Sequence, residues 1–279
     1  MPSPNCISIP QLCRLIGTPE SPRIIDVRID DDFETNQTFI PGSIRHPHTA
    51  IASLGTALAG QKVVIVCQKG LKLSQGAAAL LRVQGVEAEY LEGGSVAWAE
   101  AGKPAVPAAK TPTRDAQGRT LWVTRHRPKI DRIACPWLIR RFVDPDAVFL
   151  FVAPSQVLNV ADRFDATPFD IEDVTWSHRG DQCTFDTMIE EFELHSEELD
   201  RLAVVVRGAD TDRHDLAPES AGLLAASLGL SRMYKDDLQQ LKAGMMLYDA
   251  FFRWSRDAVE ESHDWPAASP DRQTAKAAD

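Results

Sequence analysis

The chain has 279 residues, enough for one large domain or two of ordinary size. Its net charge of −10, from 30 basic and 40 acidic residues, disfavours general nucleic-acid binding. No apolar run approaches the ~18 residues that span a bilayer, and the first residues lack a basic segment followed by an apolar stretch. The expectation is a cytoplasmic chain with neither a membrane nor a nucleic-acid partner. Five widely spaced cysteines, Cys6, Cys13, Cys67, Cys135 and Cys183, argue for separate thiols rather than a disulfide framework.

Ser8 and Pro10 suit the start of a short helix over residues 7–15. Residues 23–27 read as a strand, Asp30 to Asp32 as a solvated loop, and Pro41-Gly42 as a turn. Helical spacing over 50–58 ends at Gly60. Residues 63–66 form a short β-branched run suited to a strand buried on both faces. Helix formers with apolar residues at helical spacing fill 74–83. Gly85 closes that helix, and 87–91 is the next strand. Strands alternating with helices imply a parallel sheet covered by helices on both faces.

Cys67 stands where the buried strand ends, the position at which ligands bind in a parallel α/β sheet. The residues that follow, Gln68, Lys69, Gly70, Leu71, Lys72, Leu73 and Ser74, are short enough to curl round the sulfur. Such a loop aims successive backbone N–H groups at one point, and the next helix adds its positive end. Lys69 and Lys72 add charge. This cradle binds anions and favours a nucleophilic thiolate. The alternative is a core cysteine acting as a small apolar residue.

Four motifs in order resemble the rhodanese-like sulfurtransferases. They are Ile24-Ile25-Asp26-Val27-Arg28, Ile40-Pro41-Gly42-Ser43-Ile44, the Cys67 loop with Gly70 and Lys72, and Gly93-Gly94-Ser95-Val96-Ala97-Trp98. Phe39 stands where members often carry His. The resemblance implies a rhodanese-like fold over residues 1–103. It also implies a Cys67 persulfide, sulfur transfer without a required cofactor, and Asp26 and Arg28 bracing the loop from behind. A small-molecule sulfur donor and a thiol acceptor, or cyanide, would be the partners. Cysteine-dependent phosphatases share the cradle, but would usually carry Arg where Leu73 stands and His where Val66 stands.

Residues 104–119, with Pro104, Pro107 and Pro112, read as an extended spacer between two domains facing each other across a cleft. The segment from Arg114 to Arg141 holds eight basic residues against two acidic ones, either an anion-attracting face or a solvated surface. A second, mostly helical α+β domain is expected over 120–257. It opens with a strand over 121–124 and a helix over 133–143 that Pro136 would start with Cys135 at its cap. A buried strand follows over 147–153, then helices over 186–192, 199–206, 216–228 and 237–254. Thr187 and Glu190 have capping-box spacing. The tail, 258–279, has little to bury and is expected to be disordered.

His178 and Cys183 are candidate ligands for zinc or another metal, with Cys135, Asp186 or Glu190 completing the set. The competing reading has His178 on a backbone carbonyl and Cys183 buried. Arg207 to Asp215 alternates charges around Gly208, as a buried ion-pair turn or the lining of a cleft.

Asp131 to Phe142, Val206 to Thr211, Ala221 to Leu224 and Leu228 to Tyr234 resemble the C-terminal domain of chromate resistance proteins of the ChrB type. That resemblance implies a setting in chromate or oxyanion stress and admits chromate as a ligand. Two functions follow from the sequence: sulfur transfer through Cys67, or chromate binding or sensing carried by the second domain.

Overall fold

The computed structural model describes residues 5–261; the tail from 262 lies outside them. The first half builds a five-stranded, all-parallel sheet in the order β1-β6-β5-β2-β4. Its strands are β1 (Cys6–Ile7), β2 (Arg23–Asp26), β4 (Ser43–Arg45), β5 (Lys62–Val66) and β6 (Glu87–Leu91). The central strand β5 is buried from Val63 to Val66. Continuous β-branched sequence is what a strand covered on both faces needs.

Ile25, Val63 and Ile65 face one side, against helix α3 (Lys72–Val83) and the 3-10 turn His48–Leu54. Ile24, Val64 and Val66 face the other, against Leu12 of α1 (Ile9–Leu15) and Trp98 of α4 (Gly94–Glu100). Ser8 caps α1 by accepting from the Gln11 amide, with Gln11 reciprocating. Asp30 to Asp32 are not a loop. They open the short helix α2 (Asp30–Glu34), whose acidic first turn suits the helix dipole.

The face that holds Ile24 and Val64 belongs to a core continuous with Trp137, Phe142, Leu202 and Phe252 of the second half. The two halves therefore meet across packed side chains rather than a cleft. The Gly42 amide donates to Phe142 O at 2.6 Å across the same seam. The proline-rich segment is docked too. Strand β7 (Val106–Pro107) pairs antiparallel with β3 (Thr38–Phe39), and Trp98 Nε1 donates to Pro104 O. Val106 is 1% exposed, so its burial holds in place a stretch whose prolines alone suggest a spacer.

The second half carries a three-stranded parallel sheet, β10-β8-β9, from β8 (Leu121–Arg125), β9 (Val148–Val152) and β10 (Thr167–Pro168). Strand β9 is an edge strand and only half-buried, not a core strand. Helix α6 (Val157–Phe164) covers this sheet. Helix α5 runs Asp131–Leu138 and widens into a π turn over Ile139–Val143. It starts five residues before Pro136, which lies inside it, so Cys135 is a buried helix residue and not a cap. Helices α7 (Thr184–Glu191), α8 (Glu197–Asp210), α9 (Glu219–Met233) and α10 (Asp237–Asp257) complete the domain. The box at the start of α7 is made by Cys183 and Asp186 rather than Thr187 and Glu190.

A shared core predicts shared unfolding. Phe252 is 2% exposed and packs on Trp137 and Phe142. Phe252→Ala is expected to cost about 3–5 kcal/mol. Hydrogen exchange should quicken in β5 as well as in α10. Unchanged protection of β5 would show that the halves unfold independently.

Candidate functional site

Cys67 follows β5 at its carboxyl end. Its sulfur lies 3.1 Å from Ser74 Oγ, in the first turn of α3. The residue is 4% exposed and lies in the apolar cluster under α3. Leu71 stands at the N-cap of α3 and no side chain caps the helix. The first amides of α3, Lys72 to Ser74, therefore lack intrahelical acceptors by geometry. Gly70 turns the loop at φ +67°, a conformation that a side chain resists. Lys69, Leu71 and Lys72 are exposed at the rim, Gln68 and Leu73 half-buried, and Ser74 fully buried.

The loop is clamped from the far side by α4. The Ser95 and Val96 amides donate to the carbonyls of Cys67 and Gln68, each at 3.0 Å. A side chain at Gly94 would meet Cys67 O at 2.2 Å and Gly70 N at 2.5 Å. Gly94 is thus explained by backbone passing against backbone, and Gly93 by its φ of +70° with Ala97 Cβ 2.4 Å from where a side chain would start.

Asp26 and Arg28 form a buried pair beside this loop. Arg28 Nε donates to Asp26 Oδ2 at 2.8 Å. Its other nitrogens reach Asn36 O at 2.9 Å and Thr38 O at 2.7 Å. The pair thus ties the end of β2 to segment 36–38, one strand away from the cysteine, with no bond to the 68–74 loop among the described residues. A cavity of about 370 Å³ opens beside it, lined by Arg28, Arg45, His46 and His48 among others.

The second half gathers a different polar cluster. Nε2 of His178 lies 3.4 Å from Asp131 Oδ2, 3.6 Å from Asp170 Oδ1 and 3.2 Å from Asp210 Oδ2. Asp131 begins α5, Asp210 ends α8, and Asp170 lies just beyond β10. Arg125 and Arg132 both hold Asp170 Oδ2, at 2.9 and 3.2 Å. The Thr184 amide donates to Asp131 Oδ2 at 2.5 Å, and Thr184 Oγ1 to Asp170 Oδ1 at 3.0 Å.

The backbone that presents Asp131 is strained. Ile130 has φ +37°, rare for a β-branched residue. It is held by Tyr248, whose hydroxyl donates to Ile130 O at 3.0 Å, and by Gln240, which donates to Pro128 O at 2.5 Å. Both come from α10.

Of the sequence-derived metal ligands, only His178 joins this cluster. Cys135 and Cys183 are fully buried, and burial pushes both thiols well up. Asp186 bonds the Cys183 amide at 2.9 Å and Arg207 at 3.3 Å. Arg207 lies in α8 and Gly208 against Ser220, so that charged stretch is partly a packing joint. Asp131, Asp170 and Asp210 carry no spacing signal. Asp131 and Asp170 are 39 residues apart and Asp170 and Asp210 are 40 apart; only Asp170 is near His178 in sequence, eight residues before it, and the rest meet through the fold. The one hint was the sequence Asp131-Arg132 opening a helix.

Hydrogen bonding of the His178 imidazole to the three carboxylates, Asp131 first, favours its protonated form and pushes its pKa up to about 12. Burial, then the facing Asp210, pushes Asp131 up to about 7 against the pull of His178. Asp170 is pushed up by burial, but His178 and Arg125 outweigh that and hold it low.

Residues 9–101 match the family model of the rhodanese-like domain, and residues 122–255 that of the ChrB C-terminal domain. Protein ChrB of Cupriavidus metallidurans is 35% identical over 159 residues, covering 55% of this chain and 47% of that protein. The chain thus spans about half the length of this curated relative. A solved rhodanese-related protein from Thermoplasma volcanium is 24% identical, with a TM-score of 0.32 over 37% of this chain and 97% of that one. Thiosulfate sulfurtransferase from Pseudomonas aeruginosa is 23% identical, with a TM-score of 0.32 over 38% and 20%.

A histidine whose folded pKa lies above its unfolded value contributes stability that is complete below about pH 6.5 and fades as pH climbs toward the folded value. Asp131, also raised, loses its contribution between its unfolded value and about 7. With EDTA present, denaturation is expected to show stability falling from about pH 7 to 9. The His178 ring signals should stay at their protonated positions throughout. Titration of those signals near pH 6.5 would dismantle this account.

Proposed function

We propose that this chain, whose residues 9–101 match the rhodanese-like domain and 122–255 the ChrB C-terminal domain, is a sulfurtransferase working through Cys67. One observation carries the reading. Cys67 Sγ sits at the end of the central strand, 3.1 Å from Ser74 Oγ, facing the uncapped first turn of α3. A thiolate there accepts a hydrogen bond from Ser74 and gains from the helix's positive end.

The reaction is a displacement at sulfur. The Cys67 thiolate attacks the outer sulfur of a thiosulfate-like donor. A bond forms from Sγ to that sulfur as the donor's S–S bond breaks, and sulfite leaves with the electron pair. The persulfide is then attacked at its outer sulfur by a thiolate or cyanide, which releases the Cys67 thiolate. Loop amides stabilise the charge on the transferred sulfur. Lys69 and Lys72, exposed at the rim, draw the anionic donor in. No cofactor enters these steps. The partners are a small sulfur donor and a small thiol. Among the described residues no helix is long and apolar enough to cross a membrane; we assign the chain to the cytoplasm.

Oxyanion stress is the proposed setting, on the resemblance to chromate resistance proteins of the ChrB type. Chromate, sulfate and thiosulfate are tetrahedral dianions of similar shape, so a cradle for one admits another. A second reading places oxyanion binding in the second domain. It is favoured by Arg125 Nε, which is buried beside Arg132 without a hydrogen-bond partner among the described residues.

After incubation with thiosulfate, mass spectrometry is expected to find one added sulfur atom on Cys67, and none in Cys67→Ser. Ser74→Ala should slow the transfer about 10–100-fold, the loss of one hydrogen bond to a charged sulfur. Labelling of another cysteine, or none, would remove the proposal. Cells carrying Cys67→Ser should lose chromate survival; protection indifferent to that change would move the function to the second domain.

A further inference from the structure

The His178 cluster is poorly satisfied by its own chemistry. A single ring nitrogen faces three carboxylates, and one N–H donates to only one of them at a time. The three separations, 3.2 to 3.6 Å, are long for N–H···O bonds. They match a different arrangement. Ligands bound about 2.1 Å from one ion stand about 3.0 Å apart at right angles and about 3.4 Å apart at a tetrahedral angle. The ligand atoms of Asp131, Asp170 and His178 all lie within 4.8 Å of one another.

A second observation points the same way. Asp131 is 1% exposed, and its Oδ1 has no hydrogen-bond partner among the described residues. A buried, unmet oxygen on a carboxylate whose other oxygen faces His178 costs stability unless something charged meets that carboxylate. The remaining contacts are those of supporting groups. Thr184 bonds both Asp131 and Asp170, and the two arginines hold the Asp170 oxygen turned away from His178. Such outer bonds fix ligand orientation at metal centres. His178, at 42% side-chain exposure, leaves an entry path from solvent.

We propose that Asp131, Asp170 and His178 bind one divalent transition-metal ion, with Asp210 beside it as a further carboxylate. One imidazole nitrogen with carboxylate oxygens suits Mn²⁺, Fe²⁺ or Zn²⁺ rather than a thiophilic ion. The ion displaces the proton from His178 Nε2, which is released to solvent, and takes over as the cation shared by the carboxylates. Three protein ligands leave coordination positions open, as at sites that bind a further small ligand. The site owes nothing to sulfur transfer and stands or falls apart from Cys67.

The test uses the full chain, stripped with EDTA, loaded with Mn²⁺ or Zn²⁺ alone and desalted. Elemental analysis is expected to find about one metal ion per chain. His178→Gln and Asp131→Asn, each shown to be folded by circular dichroism, should weaken binding at least tenfold. Cys183→Ser and Cys135→Ser should retain the metal. Substitution by Co²⁺ should give d–d absorption without a sulfur-to-metal charge-transfer band. No metal on the wild type, a full equivalent at unchanged affinity on His178→Gln, or loss on Cys183→Ser would each overturn the site.

Discussion

The back face of the parallel sheet is buried in a core that runs on into the second half of the chain. Ile24, Val64, Val66 and Leu91 share that core with Leu12 and Trp98 of α1 and α4 and with Trp137, Phe142 and Phe252. Apolar surface removed from water is worth roughly 25 cal/mol per Å², so this contact fixes where the sheet lies. It also fixes β5, and β5 fixes Cys67 at its end. The front face is closed by α3, whose first turn supplies Ser74 and the free amides. The Cys67 sulfur at the strand's end is thus backed by a core that the second half of the chain shares.

The same seam reaches the second polar cluster. Helix α5 carries Trp137 into the shared core and Asp131 at its first turn. Helix α10 packs Phe252 on that core and, about one and about three turns nearer its start, ties down the strained 128–130 backbone through Tyr248 and Gln240. Asp131 is therefore aimed by the same helices that seal the sheet. The two sites are mechanically related through rigid elements, while their chemistries are separate: one is a thiol among amides, the other an imidazole among carboxylates.

Much of the first domain was legible because its signals are local. The β-branched run before Cys67, the glycines at 70 and 94 and the alternation of strand and helix each depend on neighbours in sequence. The short strands β3, β4 and β7 were not legible, since two or three residues carry no periodicity and pair only once the chain returns. The Asp30 helix was missed because a triple aspartate suits a loop and a helix's first turn equally. Pro136 misled for a related reason. It is over-represented at helix starts, yet here the 3.6-residue packing of Ile133 and Trp137 outweighs the lost bond.

The sequence paired His178 with Cys183 as metal ligands on spacing, and the fold brings only His178 to the polar cluster. Cys183 is five residues from His178, but the intervening turn sends the sulfur into the core, where it helps to start α7. What faces His178 instead comes from a helix start, a helix end and a turn. Placing three like charges together costs free energy that no local preference supplies. The fold accepts that cost only because a cation stands among them. In the bare protein the cation is an imidazolium, able to bond one acid at a time. That mismatch, one donor for three acceptors, is the physical reason for the metal site proposed at the cluster.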